Sequence, residues 1–83
     1  MEFYMLTAQS ITQAQHMQRA LEQVGLRSQI MRAHRTISRG GCGYALRILC
    51  GDLTAALLVL RRASVEPERV YLYQNGTYQE VAL

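Results

Sequence analysis

Cys42 is the residue of this sequence with the clearest capacity for chemistry. It stands between Gly41 and Gly43, and Arg35 and Arg39 precede it closely. A thiol becomes a nucleophile when positive charge stabilises its thiolate and a partner can reach the sulfur. Arginines would supply the charge, and glycines without side chains would leave the sulfur accessible. The stretch indicates a reactive thiol, and the alternative is a tight turn in which cysteine is a small filler.

The charge pattern favours an anion near this cysteine. The chain has nine basic residues, all arginine, against six acidic ones, and its net charge is +3. No acidic residue occurs between Gln23 and Gly51. The same segment contains Arg27, Arg32, Arg35, Arg39 and Arg47. We expect a positive surface that attracts a phosphate, a carboxylate or the Cys42 thiolate itself, with Arg47 and His34 as further cationic groups.

The same stretch imitates the third strand of RNA-recognition domains. Such a strand has a basic residue, a glycine, an aromatic, a small residue and a second aromatic. Arg39, Cys42, Gly43 and Tyr44 follow that order with one glycine too many, and the first aromatic position is taken by a thiol. Bases stack on aromatic rings, and Tyr44 alone would offer only one ring for stacking. A tyrosine packed against the sheet is the simpler interpretation. Nucleic acid is therefore not the expected partner, although RNA binding remains an alternative function.

Other chemistries have little support. Cys42 and Cys50 lie at the two ends of one predicted strand, roughly 25 Å apart, too far for a disulfide. Cys50 is expected to be buried filler. The spacing of Cys42, Cys50 and His34 matches no zinc motif, and no hydrolase or phosphate-loop motif occurs, so we expect neither metal nor cofactor. No segment suggests a membrane span or a secretion signal, which predicts a cytoplasmic location.

The elements that must position Cys42 follow from periodicity and capping. Ser10 and Gln13 have capping-box spacing, and Gly25 ends the apolar stripe that follows them. Asp52 is expected to cap a second helix that ends near Ser64. Asn75-Gly76 indicates a turn. The predicted strands are 2–7, 27–32 at an edge, 44–50 at the centre, 69–73, and a short extra strand at 78–82, and a long connection covers 33–43.

The order strand, helix, strand, strand, helix, strand predicts a single domain over residues 1–83. Two split units of this kind give a ferredoxin-like α+β sandwich, a four-stranded antiparallel sheet with both helices on one face. The other face would be open to partners. A group of tyrosines, Tyr71, Tyr73 and Tyr78, is expected to serve sheet packing or a self-association edge, so a homodimer is possible.

The residues around Cys42 resemble a family motif. Residues 33–47 read AHRTISRGGCGYALR, which is similar to the pattern PRxISxxCGxALR of the selenium/sulfur carrier-like family of small bacterial and archaeal domains. Position 34 lacks the usual proline, Arg39 also departs from the commonest spelling, and three residues separate Ser38 from Cys42 where the pattern has two. The residues on the pattern are Arg35, Ser38, Cys42, Gly43, Ala45, Leu46 and Arg47. The similarity extends over nearly the whole chain.

The resemblance implies that Cys42 carries a persulfide or selenopersulfide. Its partners would be sulfur or selenium donor and acceptor proteins, and the chain would be a carrier or adaptor rather than a stand-alone enzyme. Anion support would come from Arg35, Arg39, Arg47 and Ser38, with Gly41 and Gly43 giving access. The alternatives are an RNA-recognition-like module and an interaction domain without chemistry of its own.

Overall fold

The computed structural model describes residues 2–34 and 43–81. Its strands are β1 (Phe3–Ala8), β2 (Gln29–Arg32), β3 (Tyr44–Leu49), β4 (Val70–Gln74) and β5 (Thr77–Glu80). Its helices are α1 (Ile11–Glu22) and α2 (Leu53–Arg62), and a short 3₁₀ turn, Cys50–Asp52, precedes α2. None of the helices in these two ranges is long and apolar enough to span a bilayer.

The five strands form one antiparallel sheet in the order β2-β3-β1-β4-β5. The predicted central position of β3 and edge position of β2 are confirmed. The predicted extra strand is present as β5, which pairs with β4 across the Asn75-Gly76 turn. Both turn residues have positive φ, 54° and 78°, as a two-residue hairpin of this kind requires.

Both helices pack on one face of the sheet. The main core joins α1 and α2 to β1, β3 and β4 through fully buried side chains. These include Leu6, Met17, Leu21, Leu46, Leu60 and Val70. A second, smaller cluster contains sheet residues only, Met5, Ala45 and Tyr71, and lies on the other side of the sheet. We call that second side the open face.

The helix ends differ from one another in how well the sequence predicted them. Ser10 caps α1, because its Oγ accepts the Gln13 N–H at 3.1 Å, as predicted. The Gln13 side chain accepts from the Gln9 N–H at 2.8 Å, one residue before the position that a capping box predicts. Asp52 occupies the N-cap position of α2, as predicted, but its side chain forms no capping hydrogen bond with a described residue. The 3₁₀ turn takes the chain into α2 instead.

Candidate functional site

The predicted site lies partly outside the described residues. Arg35, Ser38, Arg39, Gly41 and Cys42 are outside them, while Gly43 and Arg47 are inside. The roles predicted for the first group therefore stay predictions. What the structure does describe is the two ends of the connection that contains Cys42.

Those two ends are held together by the backbone. The Ala33 N–H donates to the Gly43 carbonyl oxygen at 3.0 Å, which continues the β2–β3 ladder by one pair. Next to it, Tyr44 is paired with Ala8, the last residue of β1. The Cys42-containing connection thus starts and finishes at one end of the strands, the end at which β1 leads into α1.

Arg47 lies in the second half of β3, away from the Gly43 end, although its predicted role is to support the Cys42 thiolate. Three pairs separate it from the Gly43 end, so their Cα atoms are about 13 Å apart along the strand. The Arg47 guanidinium sits over the Phe3 ring, 4.9 Å from the ring centroid, on the open face. Contact with this ring is the interaction that the structure assigns to Arg47, and its support of the Cys42 thiolate stays a prediction.

A chain of aromatic rings crosses the open face. Phe3 stacks on Tyr73 with centroids 4.7 Å apart, and Tyr73 meets Tyr78 edge-on at 4.9 Å. His34, where the connection leaves β2, stacks on Tyr78 at 5.6 Å. The rings therefore link the start of the Cys42 connection to the far edge of the sheet. Sequence reasoning had the tyrosines as sheet packing but did not include Phe3 or His34.

Tyr44 does not belong to this open-face cluster. Its half-buried ring packs against the main core on the helix side, and the Arg32 guanidinium carbon lies 5.9 Å from the ring centroid. This position favours the interpretation of Tyr44 as a packed sheet tyrosine. It removes from the open face the one aromatic ring that the RNA-recognition pattern placed on the third strand.

Cys50 has an environment opposite to that of an activated thiol. It is only half-buried in the 3₁₀ turn after β3, whereas the sequence predicted buried filler. Its Sγ lies 3.8 Å from Glu2 Oε2, whose other oxygen accepts from the Gln74 amide at 3.0 Å. Partial burial raises the pKa of Cys50 above its ordinary value, and the charge of Glu2 and the hydrogen bond to it raise the pKa further. At neutral pH this thiol is protonated and a poor nucleophile.

Replacing Glu2 by glutamine is expected to increase the reactivity of Cys50. The substitution removes a negative charge that opposes the thiolate, so the pKa of Cys50 falls and its thiolate fraction at pH 8 rises. Alkylation of a Cys42→Ser, Glu2→Gln protein by iodoacetamide should be several-fold faster than alkylation of Cys42→Ser alone. Glu66→Gln is the matched control, because Glu66 is exposed and forms no contact with Cys50. Equal rates in all three proteins would contradict this account of Cys50.

The described residues offer no cluster for a metal ion. Within residues 2–34 and 43–81, no three His, Cys, Asp or Glu side chains come close enough together to hold one.

One of two comparisons with known proteins found a match. Residues 3–72 match the family model described as "Putative Se/S carrier protein-like". The matched range includes Cys42 and both ends of its connection. No curated protein matches the chain.

Proposed function

The chain belongs to the Se/S carrier protein-like family, and on this premise we propose that it carries sulfur or selenium on Cys42. The observation that carries the proposal is the family match, because it spans the glycine-flanked thiol. The environment of Cys50 supports the choice of Cys42 as the carrier, because partial burial and Glu2 raise the pKa of Cys50 and favour its protonated thiol.

The transfer balances without an oxidant or a reductant. The Cys42 thiolate attacks the outer sulfur of a donor persulfide, a new S–S bond forms, and the bond between the donor's two sulfur atoms breaks. The donor leaves as a thiolate, which takes up the proton that Cys42 gave up. An acceptor thiolate later attacks the outer sulfur of Cys42 in the same way, and a selenopersulfide follows the same steps with selenium as the outer atom.

The neighbours of Cys42 in the sequence have roles that follow from this chemistry. Arg35 and Arg39 stabilise the thiolate and the anionic persulfide, and the Ser38 hydroxyl donates a hydrogen bond to either anion. Gly41 and Gly43 leave the sulfur open to a partner's sulfur atom. A reducing, cytoplasmic setting suits this role because it keeps Cys42 available as a thiol.

We also infer a ferredoxin-like arrangement for the sheet. The order β2-β3-β1-β4, with antiparallel neighbours and both helices against one face, supports this assignment. In such an arrangement the second face is left for partners, and here it holds Phe3, Tyr73 and Tyr78.

A second candidate function is the binding of single-stranded RNA. One observation favours it, the open-face stack of Phe3 and Tyr73 with Arg47 over the Phe3 ring. Against it, these rings already stack on one another, and Tyr44 lies on the helix side. RNA binding would survive the substitution Cys42→Ser, whereas sulfur transfer would not.

Alkylation kinetics test whether Cys42 is activated. In a Cys50→Ser protein, Cys42 should react with iodoacetamide at pH 7 faster than free cysteine does, because the arginines increase its thiolate fraction. In the matched Cys42→Ser protein, Cys50 should react more slowly than free cysteine. Arg35→Gln and Arg39→Gln should each slow the reaction of Cys42. A Cys42 rate no higher than that of free cysteine would refute the activated thiolate.

A further inference from the structure

The strand β2 forms one edge of the sheet, and part of its backbone faces away from β3. Backbone groups of successive residues in a strand point to alternate sides. Since the Ala33 N–H is bonded to Gly43, which directly precedes β3, the N–H and C=O groups of Ile30 and Arg32 point outward. Among the described residues, no backbone hydrogen bond reaches them from outside the β2–β3 ladder. Two donors and two acceptors are therefore available for an added strand.

This edge also carries exposed positive charge. Arg27 and Arg32 are exposed just before and at the end of β2. Arg47 on β3 is paired with Gln29, but its guanidinium lies over the Phe3 ring of β1. None of the three arginines forms an ion pair with a described residue. A cleft of about 260 Å³ opens where β2 begins, with Arg27, Arg47 and the exposed Leu49 among its walls. The cleft can hold a carboxylate side chain with its aliphatic stem.

The opposite edge of the sheet has a paired carboxylate in place of arginines that form no ion pair with a described residue. The Val81 N–H is bonded to Val70 on β4, so Tyr78 and Glu80 have the outward backbone groups of β5. The Glu80 carboxylate lies 3.0 Å from the Arg69 guanidinium. An acidic strand added to β5 would meet the Glu80–Arg69 ion pair, whereas the same strand added to β2 would meet Arg27 and Arg32. Charge therefore distinguishes the two edges.

We propose that the β2 edge binds an acidic, extended segment of a partner protein as an added strand. A second copy of β2 is a poor occupant, because self-pairing would bring the arginines of one copy close to the arginines of the other. The added segment would run along β2 to His34, where the Cys42 connection begins. That the segment belongs to a sulfur donor or acceptor rests on the proposed carrier function, but the docking itself does not.

The probe is a short peptide of alternating glutamate and valine, and the protein is the full chain with Cys42→Ser. We expect the amide NMR signals of Ile30 and Arg32 to shift and their hydrogen exchange to slow, with weaker binding at higher salt. Arg27→Gln with Arg32→Gln should lower the affinity roughly five- to tenfold, as loss of two rim charges does. The control is Arg61→Gln with Arg62→Gln on the exposed side of α2, which should leave the affinity unchanged.

A second peptide, N-methylated at alternate residues on the edge that would face β2, separates strand addition from simple charge attraction. It has the same charge but cannot donate to β2, so it should fail to protect Ile30 and Arg32. The proposal would be overturned if both peptides bound equally well or if the two arginine double variants lost affinity equally. It would also be overturned if the signals of Tyr78 and Glu80 shifted in place of those of Ile30 and Arg32, or if neither peptide bound. Because the tested protein lacks the Cys42 thiol, these results do not depend on sulfur transfer. Failure of the proposed carrier function would be detected separately, as the absence of sulfur loading on the native chain.

Discussion

Replacing Leu46 by alanine is expected to lower the free energy of unfolding by about 2–5 kcal/mol. Leu46 is fully buried in the main core, on the strand that leads directly from the Cys42 connection. The substitution removes apolar surface from the core and leaves a cavity between the sheet and the helices. A chain of 83 residues has a total stability of roughly 4–12 kcal/mol. Chemical denaturation followed by circular dichroism should show that the variant has lost a large share of this stability.

Leu49 on the same strand is the matched control. Its side chain is 62% exposed, against 0% for Leu46, so Leu49→Ala should change the stability by less than about 0.5 kcal/mol. If Leu46→Ala does not fold, Ile48→Val tests the same core with a smaller loss of about 0.5–1.5 kcal/mol. Equal effects of Leu46→Ala and Leu49→Ala would contradict the assignment of the helix-facing side of β3.

Replacing Cys42 by serine is expected to abolish sulfur loading completely. A serine hydroxyl is not ionised near neutral pH and cannot form the S–S bond on which the carrier depends. Cys50→Ser should retain full loading, because the Cys50 thiol is protonated and hydrogen-bonded to Glu2. Sulfur exchange between the two cysteines of one chain is also not expected, because Gly43, the neighbour of Cys42 in the sequence, is far from Cys50. The six residues of β3 lie between Gly43 and Cys50, which places their Cα atoms about 23 Å apart.

The elements that local chemistry specifies were predictable from the sequence. The serine before α1 has an oxygen that fits the exposed N–H groups of the first turn, and Asn75-Gly76 can adopt the positive φ of a hairpin turn. Strand ends were less predictable, because they depend on pairing. The predicted strand 27–32 begins at Gln29 in the structure, where its first partner, Arg47, lies opposite. The last strand, predicted over 78–82, covers Thr77–Glu80 in the structure and ends before Val81, while residues 82 and 83 lie outside the described residues.

The interactions that depend on distant residues were not predictable from one sequence. Cys50 looked like core filler because it ends an apolar strand, but its pKa depends on Glu2, which lies 48 positions earlier. The open-face rings come from β1, β4 and β5, and only the sheet order makes Phe3 and Tyr73 neighbours. The period-two spacing of Phe3 with Met5 and of Tyr71 with Tyr73 is the signal that could have placed them on one face.

Intact-mass measurement tests the role of Cys42 most directly. The native chain, Cys42→Ser and Cys50→Ser are each incubated with a cysteine desulfurase and cysteine, and then treated with a thiol reductant. The carrier proposal predicts that the native and Cys50→Ser proteins gain the mass of one sulfur atom, which the reductant removes, and that Cys42→Ser gains nothing. A mass gain in Cys42→Ser equal to that of the native chain, or no gain in any protein, would contradict it.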